Sequence, residues 1–98
     1  MESAKKDKRA HVLVSGRVQG VYYRSYAEEK ARELGLTGWV RNRPDGKVEA
    51  VFEGEQEAVD EIVDWSHRGS PSSRVEKVDV AWETPTGEFD DFHVAYGY

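Results

Sequence analysis

The stretch that decides the fold is "HVLVSGRVQGVYYRSYAEEKAREL", residues 11–34. Residues 11–15 are mostly apolar and β-branched and end at a glycine, which predicts a short buried strand. Residues 23–34 carry apolar side chains at helical spacing, which predicts an amphipathic helix that ends before Gly35. This apolar stripe consists of Tyr23, Ala27, Ala31 and Leu34. The first unit of the fold is therefore a strand that passes through a glycine-containing loop into a helix.

The rest of the chain supplies two strands, a second helix and two further strands. The turn "RPDG" joins the first two of these strands, and "RGSPSS" follows the second helix. The predicted ranges are 38–43 and 47–53 for the strands, 55–67 for the helix, and 75–83 and 92–96 for the last strands. This order predicts an α+β protein with a ferredoxin-like split βαβ sandwich, βαββαβ plus a short C-terminal strand. We expect an antiparallel sheet with two helices on one face.

The composition predicts one small domain. The chain has 98 residues, and its charged start "MESAKKDKRA" predicts a flexible tail over residues 1–10 before a single domain over residues 11–98. It contains no cysteine, which excludes disulfides, a thiolate nucleophile and a cysteine-ligated metal. No apolar run is typical of a signal peptide or a membrane span, so we expect a cytoplasmic protein that does not bind membranes. We also expect a monomer.

The charge of the chain is distributed unevenly. The net charge is −5, yet no Asp or Glu occurs between His11 and Ala27, where Arg17 and Arg24 lie. An acidic chain is a poor general binder of nucleic acids, so no nucleic-acid partner is expected. A small anion held at one local basic site fits the pattern better.

The loop from Gly16 to Tyr22 has the features of such a site. It leads into a helix N-terminus, where unpaired backbone N–H groups and the helix dipole favour an anion. Arg24 in the first helical turn opposes the dipole, and an anionic ligand would offset that cost. The planar guanidinium of Arg24 suits a phosphate because it can donate two parallel hydrogen bonds.

Two motifs stand out, "GRVQGVYYR" at residues 16–24 and "GWVRN" at residues 38–42, together with "GSPSSRVEKV" at residues 69–78. In these motifs, residues 14–42 closely resemble the acylphosphatase family. The resemblance extends from about residue 12 to residue 96. One departure is Ala95, where many relatives carry Arg.

The resemblance implies a hydrolase that converts acyl phosphates to a carboxylate and inorganic phosphate, which is both product and inhibitor. It implies that Arg24 holds the phosphate and that Asn42 orients the attacking water, without a metal or cofactor. It also implies that backbone amides of one loop surround the phosphate. That loop comprises Gly16, Arg17, Val18, Gln19, Gly20, Val21 and Tyr22.

The chemistry of an acyl phosphate agrees with so simple a site. The leaving group is a carboxylate with a pKa of about 4–5, so it departs without a general acid. Phosphoryl transfer passes through a loose transition state, which leaves binding of the phosphoryl oxygens and positioning of a water as the main requirements. A phosphate ester would need more, because an alkoxide is a poorer leaving group.

Two other functions remain open from the sequence. A non-catalytic anion-binding or regulatory module would use Arg24 and the loop but would not need Asn42, which on spacing alone fits a turn residue. A sheet-face RNA binder is disfavoured by the net charge and by the single aromatic residue in "KVEAVFE". The three histidines are interpreted as structural or surface residues, and Trp39, Trp65 and Trp82 as packing residues.

Overall fold

The computed structural model describes residues 7–96 as a five-stranded sheet and two helices. Both helices and all five strands lie where the sequence predicts them, with shifted ends. The strands are β1 (Asp7–Arg17), β2 (Thr37–Asn42), β3 (Val48–Glu55), β4 (Arg74–Glu83) and β5 (Phe92–Val94). The helices are α1 (Tyr23–Glu33) and α2 (Gln56–Arg68). The ferredoxin-like α+β fold is therefore confirmed.

The sheet has the order β4-β1-β3-β2-β5 and is mixed rather than fully antiparallel. The first four strands pair antiparallel, but β5 runs parallel to β2, which corrects the prediction. The reason lies in the connection before β5. Because β4 ends beside the start of β1, residues 84–91 cross at that end of the sheet, and β5 starts at the same end as β2.

One face of the sheet packs against both helices and forms the core. The register aligns Val12 with Ala50 and Val80, and aligns Ala50 with Val40. Alternation places the side chains of these residues on a common face. The helices add Ala27, Ala31, Val59, Ile62 and Trp65 to this core.

The opposite face of the sheet is polar and holds the crossing segment in place. Glu53 is buried, and its carboxylate accepts hydrogen bonds from the backbone N–H groups of Thr86 at 3.1 Å and Gly87 at 2.7 Å. Arg9 donates to Glu53, and also pairs with Glu88 at 2.8 Å. These contacts fix residues 84–91 across the sheet on the way to β5.

Helix α1 covers the outer edge of β5. Glu28 accepts a hydrogen bond from the backbone N–H of Val94 at 3.1 Å, and Arg32 donates to the carbonyl of Phe92 at 3.1 Å. Since both side chains come from successive turns of α1, the short strand is held between β2 and this helix.

The predicted flexible tail over residues 1–10 is wrong for residues 7–10. These residues begin β1, where Ala10 is fully buried and pairs with Phe52 and Trp82. Residues 1–6 lie outside the described part of the chain, as do residues 97–98 of the predicted domain. Trp82 is 53% exposed, and Lys8 lies over its ring, so Trp82 does not serve mainly as a core residue.

Candidate active site

A pocket lies where β1 and β2 end and α1 begins. Its volume is about 320 Å³. It is lined by Val18, Gly20, Tyr22, Tyr23, Arg24, Ser25 and Asn42. The two sequence motifs therefore meet at one place, although the tight β2–β3 turn and the loop before α1 are far apart along the chain.

The loop before α1 is anchored in the core by two valines. Val18 and Val21 are 1% and 5% exposed, and they flank Gly20, whose φ is +75°. Burial of these two side chains leaves the intervening backbone at the pocket. The alternation of valine and glycine in the motif therefore has a packing reason.

Gln19 connects this loop to the β2–β3 turn. Its side-chain amide donates hydrogen bonds to the carbonyls of Arg43 at 2.8 Å and Lys47 at 2.9 Å. Arg43 directly follows Asn42, so Gln19 links the loop to the backbone that carries Asn42.

The α2–β4 connection fixes the other side of the loop. Ser70 is buried, and its hydroxyl donates a 2.6 Å hydrogen bond to the carbonyl of Val21. The buried hydroxyl of Tyr23 donates to the carbonyl of Ser66 at 2.9 Å. Burial raises the pKa of Tyr23 above its ordinary value, so this side chain remains a neutral donor. Hydrogen bonds from the α2–β4 side therefore hold the end of the loop and the start of α1 in place.

The N-terminus of α1 is open to a ligand. Tyr22 occupies the N-cap position in the left-handed conformation, with φ 65°, and makes no side-chain capping hydrogen bond. The first turn of α1 contains no acidic residue. The first N–H groups of a helix lack partners within the helix, so this end favours an anion.

Arg24 supplies a positive charge at the same end. It is half-buried, and within residues 7–96 its guanidinium has no ion pair and no hydrogen bond. Its observed contact is with the ring of Tyr96, whose centroid lies 5.3 Å from Cζ. Among the described residues, none therefore occupies the hydrogen-bond donors of Arg24, which line the pocket.

Asn42 reaches the pocket from the end of β2. Its Oδ1 atom is buried and has no hydrogen-bond partner among the described residues. A buried amide oxygen without a partner costs free energy, on the order of 1–3 kcal/mol. Such an acceptor beside a cationic pocket is suited to receive a hydrogen bond from a bound water.

The pocket includes part of the predicted site and excludes another part. Arg24, Asn42, Val18, Gly20 and Tyr22 line it. Four members of the predicted phosphate-binding loop are not among the lining residues, namely Gly16, Arg17, Gln19 and Val21. Gly16 and Arg17 are the last residues of β1, Gln19 points to the hairpin, and Val21 is buried.

Three residues at this site are not among the predicted site residues. Tyr23 and Ser25 line the pocket, and Ser70 holds the loop. Tyr23 belongs to the motif and is predicted to be a core residue of the helix. In the structure it packs in the core and also lines the pocket. Ser70 lies in "GSPSS", a segment that the resemblance had singled out without a role.

Within residues 7–96, no group of three or more His, Cys, Asp or Glu side chains is arranged to hold a metal ion. In the same part of the chain, neither helix is long and apolar enough to cross a membrane.

The fold and the pocket define a small α+β protein with an arginine-lined pocket at a helix N-terminus. Comparison with known proteins gives the family. The acylphosphatase family model matches residues 10–94. An acylphosphatase of Rubrobacter xylanophilus is 57% identical over 94 residues, which cover 96% of this chain and 86% of the relative. One of Methylococcus capsulatus is 60% identical over 87 residues, covering 89% and 95% respectively.

A solved structure agrees with these relatives. The crystal structure of acylphosphatase from Bacillus subtilis matches with a TM-score of 0.87 and 35% identity, and the match covers 91% of this chain and 99% of that one. The chain therefore belongs to the acylphosphatase family and is a hydrolase of acyl phosphates, which confirms the resemblance stated from its motifs.

Proposed function

We propose that this protein hydrolyses acyl phosphates by in-line attack of a water that Asn42 positions on a phosphoryl group held by Arg24. One observation carries the proposal. The guanidinium of Arg24 and the Oδ1 of Asn42, neither of which has a hydrogen-bond partner within residues 7–96, line the same pocket at the N-terminus of α1.

The phosphoryl oxygens bind at the cationic end of the pocket. The open N-terminus of α1 provides N–H donors and a partial positive charge, and Arg24 adds a formal charge with a bidentate fork. The loop backbone around Gly20 lies at the pocket because Val18 and Val21 are anchored below it. Donors fixed in advance lower the barrier because they need no reorganisation as charge redistributes.

The nucleophilic water is placed by Asn42. Its Oδ1 accepts a hydrogen bond from the water, so that an oxygen lone pair of the water points at phosphorus. The new water oxygen–phosphorus bond forms as the bond between phosphorus and the acyl oxygen breaks. The carboxylate leaves with that electron pair, and both hydrogens of the water pass to the product phosphate, which then exchanges protons with the solvent.

The site needs neither a strong acid nor a strong base for this reaction. A carboxylate with a pKa of about 4–5 is a good leaving group without protonation. A loose transition state gains little from a fully deprotonated nucleophile. For these reasons we propose catalysis without a metal or cofactor. We further propose that the protein acts as a monomer in the cytoplasm and that inorganic phosphate, which would occupy the same anion site, is a competitive inhibitor.

A direct assay tests the proposal. Hydrolysis of benzoyl phosphate is measured with and without EDTA, beside a phosphate monoester such as p-nitrophenyl phosphate. We expect full activity on benzoyl phosphate in EDTA and none on the monoester. Activity lost in EDTA and restored by a divalent cation would refute the metal-free mechanism. Phosphate binding without any turnover would favour the anion-binding module.

A further inference from the structure

Tyr22 is an exposed aromatic residue at the pocket. It lines the pocket, yet its side chain is 74% exposed, so folding buries little of the ring. An aromatic residue is normally retained for the apolar area that it buries. Here that explanation is weak, since most of the ring faces outward at the opening beside Arg24.

The backbone conformation of Tyr22 also disfavours a large side chain at this position, so the stability of the fold does not explain a tyrosine here. Among residues 7–96, Tyr22 is the one non-glycine residue with a positive φ, at 65°. This conformation is costly for a bulky residue, whereas Gly or Asn adopts it readily. An aromatic ring thus occupies a strained position where a smaller residue would fold more easily, which points to a role in binding.

A second exposed ring lies near the same opening. Tyr96 is 81% exposed, and its ring lies 5.3 Å from the Cζ atom of Arg24. A phosphoryl group at Arg24 and the helix N-terminus would have its acyl substituent directed away from the buried loop, toward this aromatic opening. Aromatic surface is suited to a flat apolar group more than to a methyl group.

We propose that the ring of Tyr22 contacts the acyl group of the substrate, and that the site favours acyl phosphates with a planar aromatic acyl group over acetyl phosphate. This inference rests on the proposed binding of the phosphoryl group at Arg24. A contact between two aromatic rings would raise kcat/KM for the aromatic substrate about 2- to 10-fold relative to acetyl phosphate.

The test is the ratio of kcat/KM for benzoyl phosphate to kcat/KM for acetyl phosphate. Comparison of this ratio between variants cancels the difference in intrinsic reactivity of the two compounds. In Tyr22→Asn, which removes the ring but tolerates positive φ, we expect the ratio to fall about 3- to 10-fold. Tyr22→Phe keeps the ring and should keep the wild-type ratio within about 2-fold.

Two controls separate this contact from general damage to the loop. Trp82→Ala removes an exposed ring at the opposite end of the sheet, and the ratio should stay at the wild-type value. Inhibition by inorganic phosphate, which has no acyl group, reports on the anion site alone. If Tyr22→Asn lowered kcat/KM equally for both substrates, the inference would be overturned while the proposed function stands. If the wild type hydrolysed neither compound, the proposed function itself would fail.

Discussion

Gln19 and Arg43 are joined across the site by a 2.8 Å hydrogen bond from the side-chain amide to the backbone carbonyl. Because Arg43 follows Asn42, this bond sets the position of Asn42 relative to the loop. Gln19→Met keeps the length of the side chain but removes the donor. We expect kcat to fall about 10-fold or more with KM within about 3-fold, since a displacement of about 1 Å costs up to 100-fold in rate.

The control for Gln19→Met is Gln56→Met. Gln56 is exposed and begins α2. Steady-state kinetics on both variants and thermal melts would distinguish a positioning effect from loss of fold. A Gln19→Met enzyme with normal kcat would show that the two hydrogen bonds stabilise the hairpin without affecting catalysis.

Replacement of Asn42 should separate binding from catalysis. In Asn42→Ala the water loses the acceptor that orients it, and kcat should fall about 10²- to 10³-fold, by analogy with loss of one preorganised donor. The inhibition constant for phosphate should stay within about 3-fold, because Arg24 and the helix end are intact. The circular-dichroism spectrum checks folding. A folded variant with nearly normal kcat would return Asn42 to the role of a turn residue.

Arg24 should be essential for binding of the phosphoryl group. Arg24→Ala should abolish measurable turnover, and Arg24→Lys should restore little, because an ammonium group cannot reproduce the bidentate fork. Inorganic phosphate should raise the Tm of the wild type but not of Arg24→Ala. Arg68→Ala, at an exposed arginine in the last turn of α2, serves as the control. Equal stabilisation of Arg24→Ala by phosphate would exclude Arg24 as the ligand.

Gly38 in the "GWVRN" motif should be required for stability. Its φ is +131°, and a Cβ atom would lie 1.9 Å from the carbonyl oxygen of Val51. Gly38→Ala should lower the free energy of unfolding by at least ~3 kcal/mol. At Gly87, with φ +70° and open space around the Cβ position, Ala should cost only about 1 kcal/mol. Urea unfolding of both variants measures the difference, and equal losses would contradict the steric explanation.

The elements that local patterns determine could be predicted from the sequence. The apolar stripe predicts helix α1. Gly20 is the last glycine of the loop, so the helix can begin directly after the loop, which places Arg24 in its first turn. The position of Asn42 follows from its parity with Val40 along β2. These predictions need only the periodicity of helices and strands.

The features that the sequence could not show depend on partners distant in the chain. The charge of residues 7–10 predicts a tail. In the structure, however, Arg9 forms ion pairs with Glu53 and Glu83 on the neighbouring strands, and these residues are part of β1. Ser70 acts on Val21 through a contact that no local pattern reveals. The parallel direction of β5 depends on the path of residues 84–91 across the sheet.

The position of β1 between β3 and β4 has a consequence for how fast the molecule folds. Ala10 pairs with Phe52 in the middle of the chain and with Trp82 near its end. Long loops must close before these pairings form, and their entropy is lost before the contacts stabilise the chain. We expect stopped-flow refolding from urea in milliseconds to seconds, slower than for helical bundles of similar size. Refolding in microseconds would show that closure of the sheet does not limit the rate.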